Sequence, residues 1–175
     1  MTRSTRCTVT IAAALAAAAL AAAGAAFAAS APPGPAAAAY EKVKALAGTW
    51  EGKDEQGNPV SLTYEVVSGG WAVVEKMATA TGTMVTLYHP DGDLLMATHY
   101  CEAGNQPRMR TEPIRADAAS LRFSFLDVTN LAKPTDPHMR ELVVTFQDPD
   151  HLQQRWTFSE GGKETPATFV YARKR

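Results

Sequence analysis

The sequence predicts an all-β fold: an antiparallel, up-and-down meander of about ten strands closed into a barrel, with one short N-terminal helix. Three observations lead there. Short segments of strand-like composition follow one another from Leu46 to Arg173. Gly, Pro, Asn or Asp stands at nearly every junction between them, and the strands recur at intervals of about 8 to 15 residues. No stretch of that region carries the periodicity of a long amphipathic helix. Consecutive strands joined by tight turns make a meander, and closing it removes the exposed edges.

Residues 1–28 are expected to be a signal peptide. Arg3 and Arg6 form a basic start, Val9 to Phe27 is an uncharged run of mostly Ala, and Ala26-Phe27-Ala28 is a small-x-small cleavage site. The alternative is an uncleaved anchoring helix, which the run is long enough to form. Cys7 precedes the apolar run, so it is not placed for lipidation, and the arginines are not adjacent as a twin-arginine signal requires. Cleavage implies a periplasmic or secreted protein. Removing 28 of 175 residues leaves 147, one domain by length. The two arginines leave with the signal, so 15 basic residues face 18 acidic ones, a net charge near −3. Nucleic-acid binding needs a basic footprint and is not expected. No second apolar run reaches membrane length. Oligomeric state is not written in the pattern.

Ser30 to Ala39, with Pro32, Pro33 and Pro35, reads as part of a flexible leader over 29–39, and 40–175 as the barrel domain. Tyr40 to Ala47 is the one helical stretch: Tyr40, Val43 and Leu46–Ala47 share a face, and Gly48 sits where a C-terminal cap belongs. The strands are then Thr49–Lys53, Val60–Val67, Trp71–Thr79, Thr83–His89, Leu94–Cys101, Arg108–Ile114, Leu121–Asp127, Met139–Gln147, His151–Ser159 and Ala167–Arg173.

Two hairpins allow a register to be assigned. With Asp148-Pro149-Asp150 as a three-residue loop, Gln147 faces His151, Phe146 faces Leu152, Val144 faces Gln154 and Leu142 faces Trp156. That register gathers Leu142, Val144, Phe146, Leu152, Trp156 and Phe158 on one face, with Gln154 as its polar member; a two-residue loop scatters them. In the second hairpin, Asp91-Gly92 at the centre of the turn suits type I′. Tyr88 then opposes Leu95, Thr86 opposes Ala97 and Met84 opposes His99. Both faces are semi-apolar, so the pattern does not say which lines the interior.

Gly48-x-Trp50 at the first strand, after a short helix, resembles the opening of the lipocalin and fatty-acid-binding (calycin) barrels, in which the Trp closes one end. The ten-strand count resembles the fatty-acid-binding and nitrobindin-like branch. The segment from His99 to Met109 resembles a stretch of uncharacterised secreted bacterial proteins. Two features that the resemblance implies are missing or displaced. The last strand, Phe169-Val170-Tyr171-Ala172-Arg173, has no His to serve as a haem ligand. Arg155 and Tyr171 supply the residues of a carboxylate clamp, yet the register turns Arg155 outward.

His99, Asn105, Gln106 and Arg108 are the candidate ligand-binding cluster. Asn and Gln donate and accept, and Arg holds anions. The competing reading makes Asn105 and Gln106 turn builders and His99 an ordinary sheet residue. Glu75 alternates with Trp71 and Val73; facing inward, it is a buried carboxylate with a raised pKa, and facing outward it is a solvated charge. Gln154 and Trp50 complete the candidate set. His99 and Cys101 stand two apart with Met84 or Met109 nearby, a soft donor set, but no third His or Cys has matching spacing. No metal and no cofactor is therefore assigned. No nucleophile elbow, HExxH, phosphate loop or paired carboxylates are present.

The pattern therefore predicts a barrel that binds a small, mostly apolar molecule. The alternatives are an enzyme, an isomerase or hydrolase, using the same cavity through His99 and Glu75, and a structural envelope module with a filled barrel. Fold class alone does not choose among them.

Overall fold

A computed structural model describes residues 34–115 and 117–175. The expected signal peptide lies outside the described residues, as does the leader as far as residue 33. A helix, α1 (Pro35–Lys44), is followed by ten strands. They are β1 (Gly48–Lys53), β2 (Pro59–Val67), β3 (Ala72–Ala78), β4 (Thr83–Asp91), β5 (Leu94–Tyr100), β6 (Gln106–Thr111), β7 (Ser120–Thr129), β8 (His138–Asp148), β9 (His151–Glu160) and β10 (Lys163–Arg173). Each strand pairs antiparallel with its sequence neighbour, and β1 pairs with β10, so the meander closes into a barrel. The predicted fold class is the observed one.

The helix begins earlier than its periodicity suggested. Pro35 occupies its first turn, where a missing N–H costs nothing. The alanines that read as leader are its first turns, and Ala36, Ala39, Tyr40 and Val43 form its buried face. It packs on β2, β4 and β5 and closes one end of the barrel. Lys42 Nζ donates to Ala118 O at 2.6 Å. No helix among the described residues is long and apolar enough to cross a membrane.

Two turns differ from expectation. The β8–β9 hairpin keeps Phe146 opposite Leu152, Val144 opposite Gln154 and Leu142 opposite Trp156. Its loop is shorter, with Asp148 opposite His151, and a bulge at Gln147 absorbs the difference. In the β4–β5 hairpin the central residues are Gly92-Asp93, one position later than predicted. Gly92 has φ 60° and Asp93 has no positive φ, which fits type II′ and not type I′. The pairing moves by two, so that Thr86 opposes His99 and Tyr88 opposes Ala97. A shift of two preserves face membership. The inward face is the one carrying Thr86, Tyr88, Leu95, Ala97 and His99, all buried.

Gly52 marks a close approach between β1 and β10. A Cβ there would lie 2.1 Å from Val170 O and 2.8 Å from Tyr171 Cδ1, so only glycine lets β1 run beside β10 with the Tyr171 ring inside.

Candidate functional site

The interior is stacked in layers because each strand sends alternate side chains inward. At the helix end stand Trp50, Leu95, Leu121, Leu152 and Tyr171, all at most 2% exposed. Trp50 Nε1 donates to Leu46 O at 2.8 Å. The Arg173 guanidinium lies 4.2 Å above the Trp50 ring and donates to Ala45 O and Ala47 O. Trp50 is therefore packed into the helix end of the interior.

The middle layer is polar. Glu75, on β3, is fully buried. Its Oε2 accepts from Tyr88 Oη at 2.8 Å and from Gln154 Nε2 at 2.6 Å. Gln154 Nε2 also donates to Tyr64 Oη at 2.8 Å, and Gln154 Oε1 accepts from Trp156 Nε1 at 3.1 Å. Glu75 Oε1 and Tyr171 Oη have no partner. Burial raises the Glu75 pKa, and hydrogen bonds from side chains around it, Tyr88 and Gln154 among them, oppose the rise. Tyr64 and Tyr88 are held well above the usual phenol range, first by burial and then by the Glu75 charge.

Above that layer, at the end away from the helix, is a cavity of about 70 Å³. Its walls are Met77, Met84, Met139, Phe158, Ala167 and Phe169, with Trp156 and His99 completing the lining. His99 is 1% exposed. Its Nδ1 meets Thr86 Oγ1 at 3.0 Å, and its ring lies 4.6 Å from that of Trp156. The other ring nitrogen, Nε2, is buried without a partner. Burial pushes the His99 pKa down to about 4, so the ring is neutral at pH 7. The neutral imidazole lines the cavity with its ring, Nδ1 engaged and Nε2 left without a partner, a donor or an acceptor according to the tautomer.

The candidate residues therefore divide. His99, Gln154 and Glu75 stand in adjacent layers, linked through Trp156, although Glu75 does not line the cavity. Trp50 belongs to the opposite end. Asn105 is buried in the β5–β6 turn, where its Nδ2 donates to Pro137 O at 2.7 Å and so ties that turn to the chain entering β8. Gln106 binds Thr129 Oγ1 at 2.7 Å on the surface. Arg108 points outward and makes a two-bond pair with Asp127. Arg155 likewise pairs with Glu141 on the outer wall. Cys101 is free and partly buried, and burial raises its thiol pKa.

Sequence reasoning passed over Met77, Met139, Ala167 and Phe169 as cavity walls, and Thr86 as the partner of His99. A signal existed for Met77, which shares its strand face with Val73 and Glu75. None existed for the meeting of β3, β5, β8 and β10 around one space.

No known family profile matches this sequence, and no curated protein matches it. Among solved structures it is similar to a protein of unknown function from the DUF3598 family of Nostoc punctiforme PCC 73102, with 12% identity and a TM-score of 0.51. That likeness covers 76% of this chain and 49% of the other, so the chain spans about half the length of that protein. Weaker likenesses are to EF1p2_mFAP2b bound to DFHBI, with 9% identity, a TM-score of 0.39 and coverage of 77% and 98%, and to a redesigned beta barrel, with 11%, 0.38, 76% and 95%. The first of these likenesses shows the barrel fold alone.

Proposed function

We propose that this chain is a binding protein that holds a small, mostly apolar molecule in the mouth of its barrel, with His99 as the polar contact. One observation carries the reading: His99 Nε2 is buried and unpartnered in a ring that lines an otherwise apolar space. An unpaired buried polar group costs about 1–3 kcal/mol, which an occupant with one polar atom would recover. The space of about 70 Å³ is roughly half of one that holds benzene, near 150 Å³. Three methionines in its wall are flexible enough to admit more. Glu75 is engaged by Tyr88 and Gln154 outside the cavity, which supports binding over a His–Glu acid–base pair. The reading places the protein in the periplasm or outside the cell, on the strength of the basic, apolar and small-x-small order of residues 1–28.

Native mass spectrometry of the gently purified chain is expected to show a retained small-molecule adduct. Ala167→Phe, which fills the cavity, should remove it while the circular dichroism stays β-dominated. If the folded wild type carries no adduct, and neither indole nor xenon shifts the His99 ring resonances, the reading is wrong.

A further inference from the structure

We infer that the mouth cavity is also a copper(I) site, with the thioethers of Met77, Met84 and Met139 and Nε2 of His99 as its donors. The inference shares the cavity with the small-molecule reading and differs from it in the occupant. Three of the six methionines in the chain line this one space. Methionine ordinarily appears in cores because its flexible thioether fills irregular gaps. Here three of them surround a gap that they leave open, which gap filling does not explain.

The donors come from rigid elements. Met77 and Met84 are a directly opposed pair on β3 and β4, Met139 stands on β8 beside a bulge, and His99 is on β5. The imidazole is already oriented: Nδ1 is committed to Thr86 Oγ1 at 3.0 Å. With the proton on Nδ1, the Nε2 lone pair is left for a metal, and such an outer partner is what fixes the tautomer and ring of metal-binding histidines. Trp156 lies 4.6 Å from the His99 ring and lines the same cavity. Its N–H is spent on Gln154.

The donor set selects the ion. Thioether and imidazole are soft or borderline ligands that suit copper(I). The lining offers no carboxylate or carbonyl cage for calcium or magnesium. Among the described residues no group of three His, Cys, Asp or Glu is placed for a zinc-type site. Cys101 does not line the cavity.

The test is anaerobic titration of the full chain with copper(I) against a chromophoric copper(I) chelator, in a Cys7→Ser/Cys101→Ser background so that no thiol contributes. One equivalent should be withheld from the chelator, and zinc(II) should not displace it. X-ray absorption at the copper edge should show sulfur and nitrogen neighbours. The triple variant Met77→Leu/Met84→Leu/Met139→Leu keeps the apolar volume and removes the thioethers. It should lose the copper and keep the small-molecule adduct, whereas His99→Phe should lose both. If the triple variant does not fold, Met84→Leu alone, at a half-buried position, should weaken retention measurably. No copper withheld by the folded wild type, or equal retention by the leucine variants, overturns the metal site and leaves the small-molecule reading standing. Copper bound through sulfur and nitrogen with no adduct under any condition does the opposite.

Discussion

The two ends of the barrel interior are built on different rules. At the helix end the Trp50 indole N–H is bonded to Leu46 O, and Arg173 above it donates to Ala45, Ala47 and Pro149, while the buried hydroxyls of Tyr40 and Tyr171 have no partner. The side chains there are large, stiff and almost wholly enclosed. At the mouth, pliable methionines border an open space, and His99 keeps a ring nitrogen unpaired. Both ends hold buried polar atoms without partners, and the mouth alone of the two leaves room beside one. Close packing with satisfied polar groups is what stability selects. Unpaired polar atoms occur at several levels of the interior, so the open, methionine-lined space is what sets the mouth apart.

The largest expected effect tests that division directly. Trp50→Ala removes a fully buried ring, its bond to Leu46 and its stack with Arg173, and should cost about 3–5 kcal/mol in urea denaturation. Met139→Ala, half-buried and beside an existing void, should cost less than about 2 kcal/mol. Equal losses at the two positions would mean that the ends are packed alike.

A second test uses pH. The His99 pKa falls from 6.5 in the unfolded chain to about 4 in the fold, so between those values the unfolded chain binds the extra proton. Its contribution to stability is complete above pH 6.5 and is lost as pH falls toward 4. By pH 4 the loss should reach roughly 3 kcal/mol, at about 1.4 kcal/mol for each pH unit. Glu75 works in the opposite direction. Its raised pKa gives a contribution complete below the usual carboxylate value and lost as pH rises through the folded one. Urea denaturation from pH 7 to pH 4 should therefore show a steeper acid loss in wild type than in His99→Phe. Glu75→Gln should instead remove a loss on the alkaline side. Parallel acid slopes for wild type and His99→Phe would mean that His99 is not desolvated, and that the mouth is wetter than its apolar lining implies.

Much of the architecture was legible because the barrel obeys a period of two. In β8 and β9 one register gathers six apolar side chains, and that register forms even though the loop is a residue shorter, since the bulge at Gln147 restores it. The β4–β5 hairpin was not legible in the same way. Both of its faces carry apolar residues, and the turn settled where Gly92 takes a positive φ. The polar layer was half legible. Glu75 and Gln154 each stood out as a polar member of an apolar face, and each explains the other, but the bond that joins them spans 79 positions. The cavity was illegible for the same reason at larger scale. Met77, His99, Met139 and Phe169 meet across the barrel lumen, and cross-lumen neighbours leave no trace in local spacing.

The smallest effects separate the rim from the cavity. Asn105 and Arg108 lie three residues apart and were grouped by sequence alone, yet they face different surroundings. Asn105 is 2% exposed and braces the β5–β6 turn through Pro137 O. Asn105→Ala deletes that brace and should cost about 1 kcal/mol, the usual net worth of one hydrogen bond. Because His99 ends the inward run of β5 just before this turn, looser bracing should also quicken release of the cavity occupant, visible as a shorter-lived adduct. Arg108 lies on the outer wall, paired with Asp127 and open to water, where ion pairs are screened and contribute little. Arg108→Ala should leave both the denaturation midpoint and adduct retention unchanged within measurement scatter. Loss of retention in Arg108→Ala with the midpoint intact would extend the site across the wall at β6 and β7. It would also make the outer pair with Asp127, and not the cavity, the place to look for an anionic ligand.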